Sequence, residues 1–315
     1  MNPSTHAVPG ASDFVLVNPA AGGGRAADIL PALRKFAREQ SWPIEICITR
    51  SADDLAEKAR NAAAAGYRRL FVLGGDGTFQ VLLNAVSDYP DLILGVIPAG
   101  GGNDLAASLG LPADPLSATA LLLQGDPCRM DAVRVRTADG CERLYTGGGG
   151  VGLDAEAARY ASGVFRDMRG RIRYLLSAIR ALFVFRPVGV RISLQPQECQ
   201  PLNATVLLAV VLNTPSYGAG LYLAPDAKTD DGSLDLVLLE DLSVWEVLAL
   251  LPSLWAKGEL KTRRVRRFRV NCVRIETERP CRFHGDGEIL GVTPVEISVV
   301  PQAFCILRPA QKTKG

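Results

Sequence analysis

Two carboxylates stand among glycines in patterns suited to phosphate or proton chemistry. Asp76 lies in "GGDGT" at residues 74–78, and Glu288 closes "HGDGE" at residues 284–288. Glycine lets backbone N–H groups come close to a ligand, and a following helix N-terminus favours an anion there. An aspartate beside a phosphate repels it unless it holds a cation such as Mg2+ or accepts a proton. The competing use of Asp76 is structural: an aspartate here caps the helix that starts near Thr78. For Glu288 the competitor is a β-turn, because Asp-Gly is a strong hairpin signal. Local sequence alone does not choose.

Two more glycine-rich turns follow strand-like runs, "NPAAGGGRA" at residues 18–26 and "PAGGGND" at residues 98–104. In an open parallel sheet such turns gather beyond the carboxyl ends of the strands, where ligands bind. Three convergent turns point to a nucleotide-phosphate site. Neither G-x-x-x-x-G-K-[ST] nor G-x-G-x-x-G occurs in them, which disfavours a P-loop or a standard dinucleotide fold.

The elements that must position these turns are readable from the pattern. "FVLVN" precedes a helix from about 25 to 40, and "IEICIT" precedes a second from about 52 to 65. "RLFVLGG" then leads into a helix after Gly77, and "LILGVIP" into "AGGGNDLAASLG". Four strand-loop-helix steps predict a parallel sheet covered by helices. After "CRMDAVRV" at residues 128–135 the pattern changes. "RISLQ", "ATVLLAVVLN", "LDLVLLE", "RVNCVRIETE" and "PVEISVVP" are strand-like, and only "RGRIRYLLSAIRALFVF" and "SVWEVLALLPSLWAKG" look helical. A mostly antiparallel second domain with its boundary near Met130 is expected, giving domains 1–130 and 131–301. The run "AFCILRP" is placed to return to the first domain, which residues 302–315 would then complete.

Composition narrows the class. The 315 residues suit two domains, and 48% hydrophobic with 22% charged residues is globular. Seven cysteines occur singly, without a C-x-x-C pair, and there are only two histidines. That predicts a reduced, cytoplasmic protein without a structural zinc site. The first residues, "MNPSTHAVPGASDF", do not resemble a signal peptide. The apolar stretch "YLLSAIRALFVF" is interrupted by Arg180 and is shorter than the roughly 20 residues that span a bilayer. Net charge is +2, yet basic residues cluster at Arg166, Arg169, Arg171 and Arg173, and again at Lys261, Arg263, Arg264, Arg266 and Arg267. Beside apolar surface such clusters attract anionic membranes, so peripheral membrane contact is expected. Their commoner fate is a solvated face. Nucleic acid is not expected as a partner, because the basic runs lack interleaved aromatics.

The motifs "NPAAGGG", "GGDGT", "PAGGGNDLAASLG", "GVGLDAE", "DDGSLDL" and "DGE" occur in this order from Asn18 to Glu288. Together they resemble the diacylglycerol kinase catalytic domain family, which includes sphingosine and bacterial lipid kinases. The resemblance implies an α/β nucleotide-binding domain similar to those of phosphofructokinases and NAD kinases, a C-terminal antiparallel β-sandwich domain, and an active site in the cleft between them. It implies ATP and Mg2+ as cofactors and phosphoryl transfer to a hydroxyl of a membrane lipid, diacylglycerol above others. By the same resemblance Asn18, Gly22, Gly23, Gly24, Arg25, Gly74, Gly75, Asp76, Gly77, Thr78, Gly101, Gly102 and Asn103 surround the nucleotide. This chain has "GGGN" where the family commonly has "GT.N", and so lacks one threonine hydroxyl.

Glu288 corresponds to the family's catalytic carboxylate, and with five other motifs in register the catalytic reading is favoured over the turn. Asp286 either assists or makes the turn. Asp231, with backbone carbonyls of Lys228 and Ser233, matches a segment that holds a structural Mg2+ in bacterial relatives; Asp235 would approach through water, and a plain Asp-Asp-Gly turn is the competing account. Asp131 and Asp154 fall where relatives carry aspartates near the cleft or at the domain junction. Two other functions compete with a lipid kinase: a soluble-substrate kinase of the NAD kinase type, and a non-catalytic lipid- or nucleotide-binding regulator. "DDGSLDL" and the late "DGE" favour the lipid branch, and retention of Asp76 and Glu288 opposes a silent regulator. The sequence leaves a homodimer open.

Overall fold

The computed structural model describes residues 13–165, 171–195, 200–218, 220–255 and 262–310. Two compact units divide the chain, Met1–Arg129 with Phe304–Gly315, and Met130–Ala303.

In unit 1 the elements run β1 (Asp13–Val17), α1 (Arg25–Glu39), β2 (Ile44–Ile48), α2 (Ala52–Ala64), β3 (Arg69–Gly74), α3 (Asp76–Ala85), β4 (Ile93–Pro98), α4 (Asp104–Ser108) and α5 (Pro115–Leu123). All ladders here are parallel, in the order β4-β3-β1-β2. β1 is buried along its whole length, and β3 and β4 are buried except at their first residues. That is why they read as unbroken apolar runs rather than alternating ones. Asp13 is the exception: it is fully buried, and Arg69 Nε at 2.7 Å and Trp42 Nε1 at 2.5 Å satisfy its carboxylate. Ser51 caps α2 by accepting Asp54 N, and Asp114 caps α5 by accepting Ser117 N. The fourth helical segment expected from the sequence is two helices, a five-residue α4 and then α5.

Unit 2 contains β5 (Asp126–Thr137), β6 (Glu142–Tyr145), β7 (Gly148–Gly152), α6 (Leu153–Ser162), α7 (Arg171–Val184), β8 (Val188–Gln195), β9 (Leu202–Leu212), β10 (Leu234–Glu240), α8 (Val244–Trp255), β11 (Val265–Val270), β12 (Cys272–Thr277), β13 (Arg282–Gly285), β14 (Glu288–Val292) and β15 (Val295–Arg308). β5 begins and β15 ends in unit 1, where Cys305 and Ile306 pair in parallel with β4. The pairing within unit 2 is antiparallel, along β14-β13-β7-β9-β8-β12-β15, with β10 also on β9 and β11 on β10.

From Val206 onward β9 is buried on both faces. Ala209 and Val211 enter one apolar core with Leu236, Ile275 and Phe283; Leu208, Val210 and Leu212 enter the other with Tyr160, Ala181 and Leu182. This is the mostly antiparallel second domain that the sequence pattern predicts and the β-sandwich that the family resemblance implies, with helices over one face. The structure adds α6, which the sequence reading did not identify as a helix.

β11 makes a strand of the last six residues of the basic run, Val265–Val270, so their side chains alternate between faces. Arg266 lies 3.5 Å from Glu240, Arg269 pairs with Asp231, and Arg264 donates to Asp241 O. Arg166, Arg169 and Lys261 lie outside the described residues. Among the described residues, no helix is long and apolar enough to cross a membrane.

Candidate active site

The three glycine turns of unit 1 leave the carboxyl ends of the neighbouring strands β1, β3 and β4, and they touch one another. Asn18 Nδ2 donates to Thr78 Oγ1 at 3.0 Å, joining the first turn to the second, while its Oδ1 accepts Ala20 N. Gly22 has φ +62°, and a Cβ there would lie 2.1 Å from Ala99 O. Any side chain would push the first turn off the third. Gly23 and Gly24 continue the left-handed path into α1, where Arg25 Nη2 donates to Ala113 O at 3.1 Å. Gly74 ends β3, Gly75 precedes α3, and a Cβ on Gly100 would come within 2.5 Å of Gly75 Cα. Asn103 closes the third turn on itself, accepting Gly100 N at 2.8 Å and donating to Gly100 O at 3.0 Å. Gly101 and Gly102 lie inside that closure, and Gly77 sits in the first turn of α3.

Asp76 is the first residue of α3, and it does not cap its own helix. Its Oδ1 accepts Leu105 N at 3.0 Å and its Oδ2 accepts Asp104 N at 3.2 Å, so it caps α4, which begins the third turn's helix. Burial pushes its pKa above the ordinary aspartate value; the backbone N–H groups of Leu105, Asp104 and Asn103 pull the other way. Both carboxylate oxygens of Asp76 thus serve the third turn, and the same side chain closes the contact between the second and third turns.

In unit 2 the late hairpin is built by Asp286 and Gly287, with φ +50° and +86°, which places Glu288 at the exposed start of β14 opposite Gly285. Two successive positive φ values are the signature of a type I′ hairpin turn. Asp286 also acts beyond its turn. Its Oδ2 accepts Thr146 N at 2.8 Å and Thr146 Oγ1 at 3.0 Å, and its Oδ1 accepts Gly147 N at 2.9 Å and Gly148 N at 3.2 Å. The hairpin carrying Glu288 is thereby clamped to the segment entering β7.

One residue before Gly285, His284 is 2% exposed and completes a polar cluster that sequence reasoning missed. Its Nε2 lies 2.5 Å from Tyr217 Oη and 3.1 Å from Asp154 Oδ2, and Tyr217 Oη donates to Asp154 Oδ2 at 3.2 Å. The glycines of β7 make the room: a Cβ on Gly150 would meet Asp154 Oδ2 at 2.7 Å, and one on Gly148 would meet Tyr217 Cδ2 at 2.6 Å. The signal available in the sequence was the glycine run facing a lone buried-type histidine.

Asp131 is fully buried and organises the Asp-Asp-Gly turn, its Oδ2 accepting Gly232 N at 2.7 Å and its Oδ1 accepting Gln302 N at 2.8 Å. In that turn Asp231 Oδ1 accepts Ser233 N at 3.1 Å and Oδ2 pairs with Arg269, which stands opposite Asp235 across the β10–β11 ladder. Burial raises the pKa of Asp235, with Arg269 opposing. Lys228 and Ser233 flank Asp231 in the same segment. The donor set around Asp231 therefore ends in a guanidinium, which does not suit a divalent cation in this arrangement. Among the described residues no three His, Cys, Asp or Glu cluster at metal-binding spacing.

Comparison with known proteins agrees with both units. Residues 13–135 match the family described as diacylglycerol kinase catalytic domain, and residues 149–308 match the YegS C-terminal NAD kinase beta sandwich-like domain. A diacylglycerol kinase of Mycobacterium tuberculosis (strain ATCC 25618 / H37Rv) is 30% identical over 93% of this chain and 94% of its own. A probable lipid kinase YegS-like protein of Stenotrophomonas maltophilia is 29% identical over 87% and 89% of the two chains. The crystal structure of a putative diacylglycerol kinase from Bacillus anthracis str. Sterne shares the fold, with a TM-score of 0.73 at 23% identity over 94% of this chain and 96% of that one. With its glycine turns, clamped DGE hairpin and full-length relatives, this chain belongs to the diacylglycerol kinase catalytic domain family, in the branch of lipid kinases with a YegS-type C-terminal domain.

Proposed function

We propose that the protein is an ATP-dependent lipid kinase that transfers the γ-phosphoryl group to a hydroxyl of a membrane lipid, diacylglycerol first among candidates, giving phosphatidic acid and ADP. The observation that carries the reading is the three-way contact of the glycine turns, with Asp76 tying "GGDGT" to "PAGGGND". Such a cradle of backbone N–H groups is what a polyphosphate needs. Asn18, Gly22, Gly23, Gly24, Gly74, Gly75, Gly77, Thr78, Gly101, Gly102 and Asn103 form it, and Arg25 opens the adjoining helix.

In the reaction the lipid hydroxyl oxygen forms a bond to the γ-phosphorus as the bond to the ADP oxygen breaks, and Glu288 takes the hydroxyl proton. Mg2+ accompanying the nucleotide would neutralise charge on the phosphates when bound. Peripheral contact with the membrane brings the acceptor within reach. Radiolabelled ATP with a panel of lipid acceptors in mixed micelles, NAD included, tests the reading: label in phosphatidic acid supports it. Label in NADP alone, or none with any acceptor, contradicts it.

A further inference from the structure

We infer that His284 is a positioning residue for Glu288: tied to Asp154 and Tyr217, it holds the β13–β14 hairpin in the register that keeps Glu288 in the strand. This deepens the proposed function and rests on its assignment of Glu288 as the base. Arg282 pairs with Val292 and Phe283 with Gly291, but His284 pairs with Ile289 and Gly285 with Glu288, so the ladder shifts by one residue between Phe283 and His284. Continued from the first two pairs, the ladder would set His284 opposite Leu290 and Gly285 opposite Ile289. Glu288 would then fall into a turn with Asp286 and Gly287. Hairpin loops of both lengths are common, so turn chemistry does not exclude that second register. A shift of this kind beside a site re-aims the side chains that follow it.

The shift falls where β13 has least to hold it. On β7 the partners of His284 and Gly285 are Gly150 and Gly149, so no cross-strand side-chain pair forms there. His284 supplies the tie instead, its Nε2 lying 2.5 Å from Tyr217 Oη and 3.1 Å from Asp154 Oδ2. Both partners are themselves fixed. Asp154 sits in the first turn of α6, where its Oδ1 accepts Ala155 N at 2.8 Å, and the backbone of Tyr217 exchanges hydrogen bonds with Leu221 at 2.8 and 2.9 Å. On the opposite face Phe283 is anchored in the apolar core, and Leu290, the residue that the shift leaves over, packs against the same core.

The two ring nitrogens are unequal. Nδ1 is buried and has no hydrogen-bond partner among the described residues, so the hydrogen bonding of the ring runs through Nε2 alone. Glutamine carries its amide as far from Cβ as Nε2, whereas asparagine carries it only as far as Nδ1. Glutamine at residue 284 can therefore keep the tie to Asp154 and Tyr217, and asparagine cannot. In a buried polar cluster a lost partner costs more than at the surface, because the groups left behind have no water to turn to.

The test combines steady-state kinetics with amide hydrogen exchange on the full chain. His284→Ala and His284→Asn should each lower kcat by about 10²-fold, the loss that a misplacement of about 1 Å carries, with the KM for ATP unchanged. His284→Gln should recover most of that loss. Exchange across Glu288–Val292 reads the hairpin without turnover. It should quicken about tenfold in the alanine and asparagine variants, the effect of one lost hydrogen bond to a charged group, and stay near wild type in the glutamine variant. Melting curves check folding. If His284→Ala and His284→Asn unfold, Tyr217→Phe, which removes one hydroxyl from the tie, carries both comparisons with a smaller effect. Wild-type kcat in His284→Asn, a glutamine variant as poor as alanine, or a raised KM for ATP at constant kcat would each overturn the role. If Glu288→Gln keeps wild-type kcat, the proposed base is wrong and exchange alone decides: faster exchange in His284→Asn upholds the register role of His284, and unchanged exchange overturns it.

Discussion

The carboxylate of Asp76 accepts the backbone N–H of Leu105 at 3.0 Å, binding the start of α3 to the start of α4 across the two glycine turns that precede them. One side chain therefore shapes both turns. Its enclosure raises its pKa above the ordinary 3.8. The folded state then binds more protons than the unfolded chain at pH values between the two pKa values, so stability falls as pH rises through that window.

Asp76→Asn should lower turnover by about 10²-fold or more, since it removes the ionisable group yet leaves a folded protein. It should also flatten the decline of melting temperature with pH above about 4, because asparagine does not titrate. Near-normal turnover in the folded variant would show that the reaction does not need an ionisable group at residue 76, and an unchanged pH slope would place the titration elsewhere.

Asp286 gathers four donors from Thr146, Gly147 and Gly148, so its loss should be felt as stability. Asp286→Ala should cost about 3 kcal/mol, as hydrogen bonds to a charged group contribute about 1.5–3 kcal/mol each and do not sum. Urea unfolding measures this. A cost below about 0.5 kcal/mol, the level of an ordinary surface change, would mean that the clamp contributes nothing.

His284, Asp154 and Tyr217 share one buried contact and should therefore be energetically coupled. A double-mutant cycle on His284→Ala and Tyr217→Phe should give an interaction energy above about 0.5 kcal/mol, the lower end for residues in one network. Strict additivity in urea melts would show that the closeness of these groups carries no energy.

Much of unit 1 was legible because β1, β3 and β4 are covered on both faces and stay apolar throughout, and because helix starts such as Ser51 carry their own caps. The carboxylates were legible as functional candidates, but not their partners. Asp76 reaches a helix 28 residues on, and Asp286 reaches back some 140 residues, separations that no local pattern encodes. Helix α6 was missed because the glycines of β7 run directly into it and it carries no side-chain cap. The basic run looked like one patch because the strand alternation of Val265–Val270 is hidden by arginine on both faces; only pairing with β10 shows it.

The most direct test of the account is Glu288→Gln, measured as kcat with a saturating lipid acceptor beside ATP binding by calorimetry. The variant keeps the size of the side chain and the turn made by Asp286 and Gly287, and removes only the basic site. The account predicts a fall in kcat of about 10²- to 10⁴-fold, the range of general-base catalysis, with ATP affinity unchanged. A folded variant that keeps more than about a third of wild-type kcat, far outside that range, would contradict it.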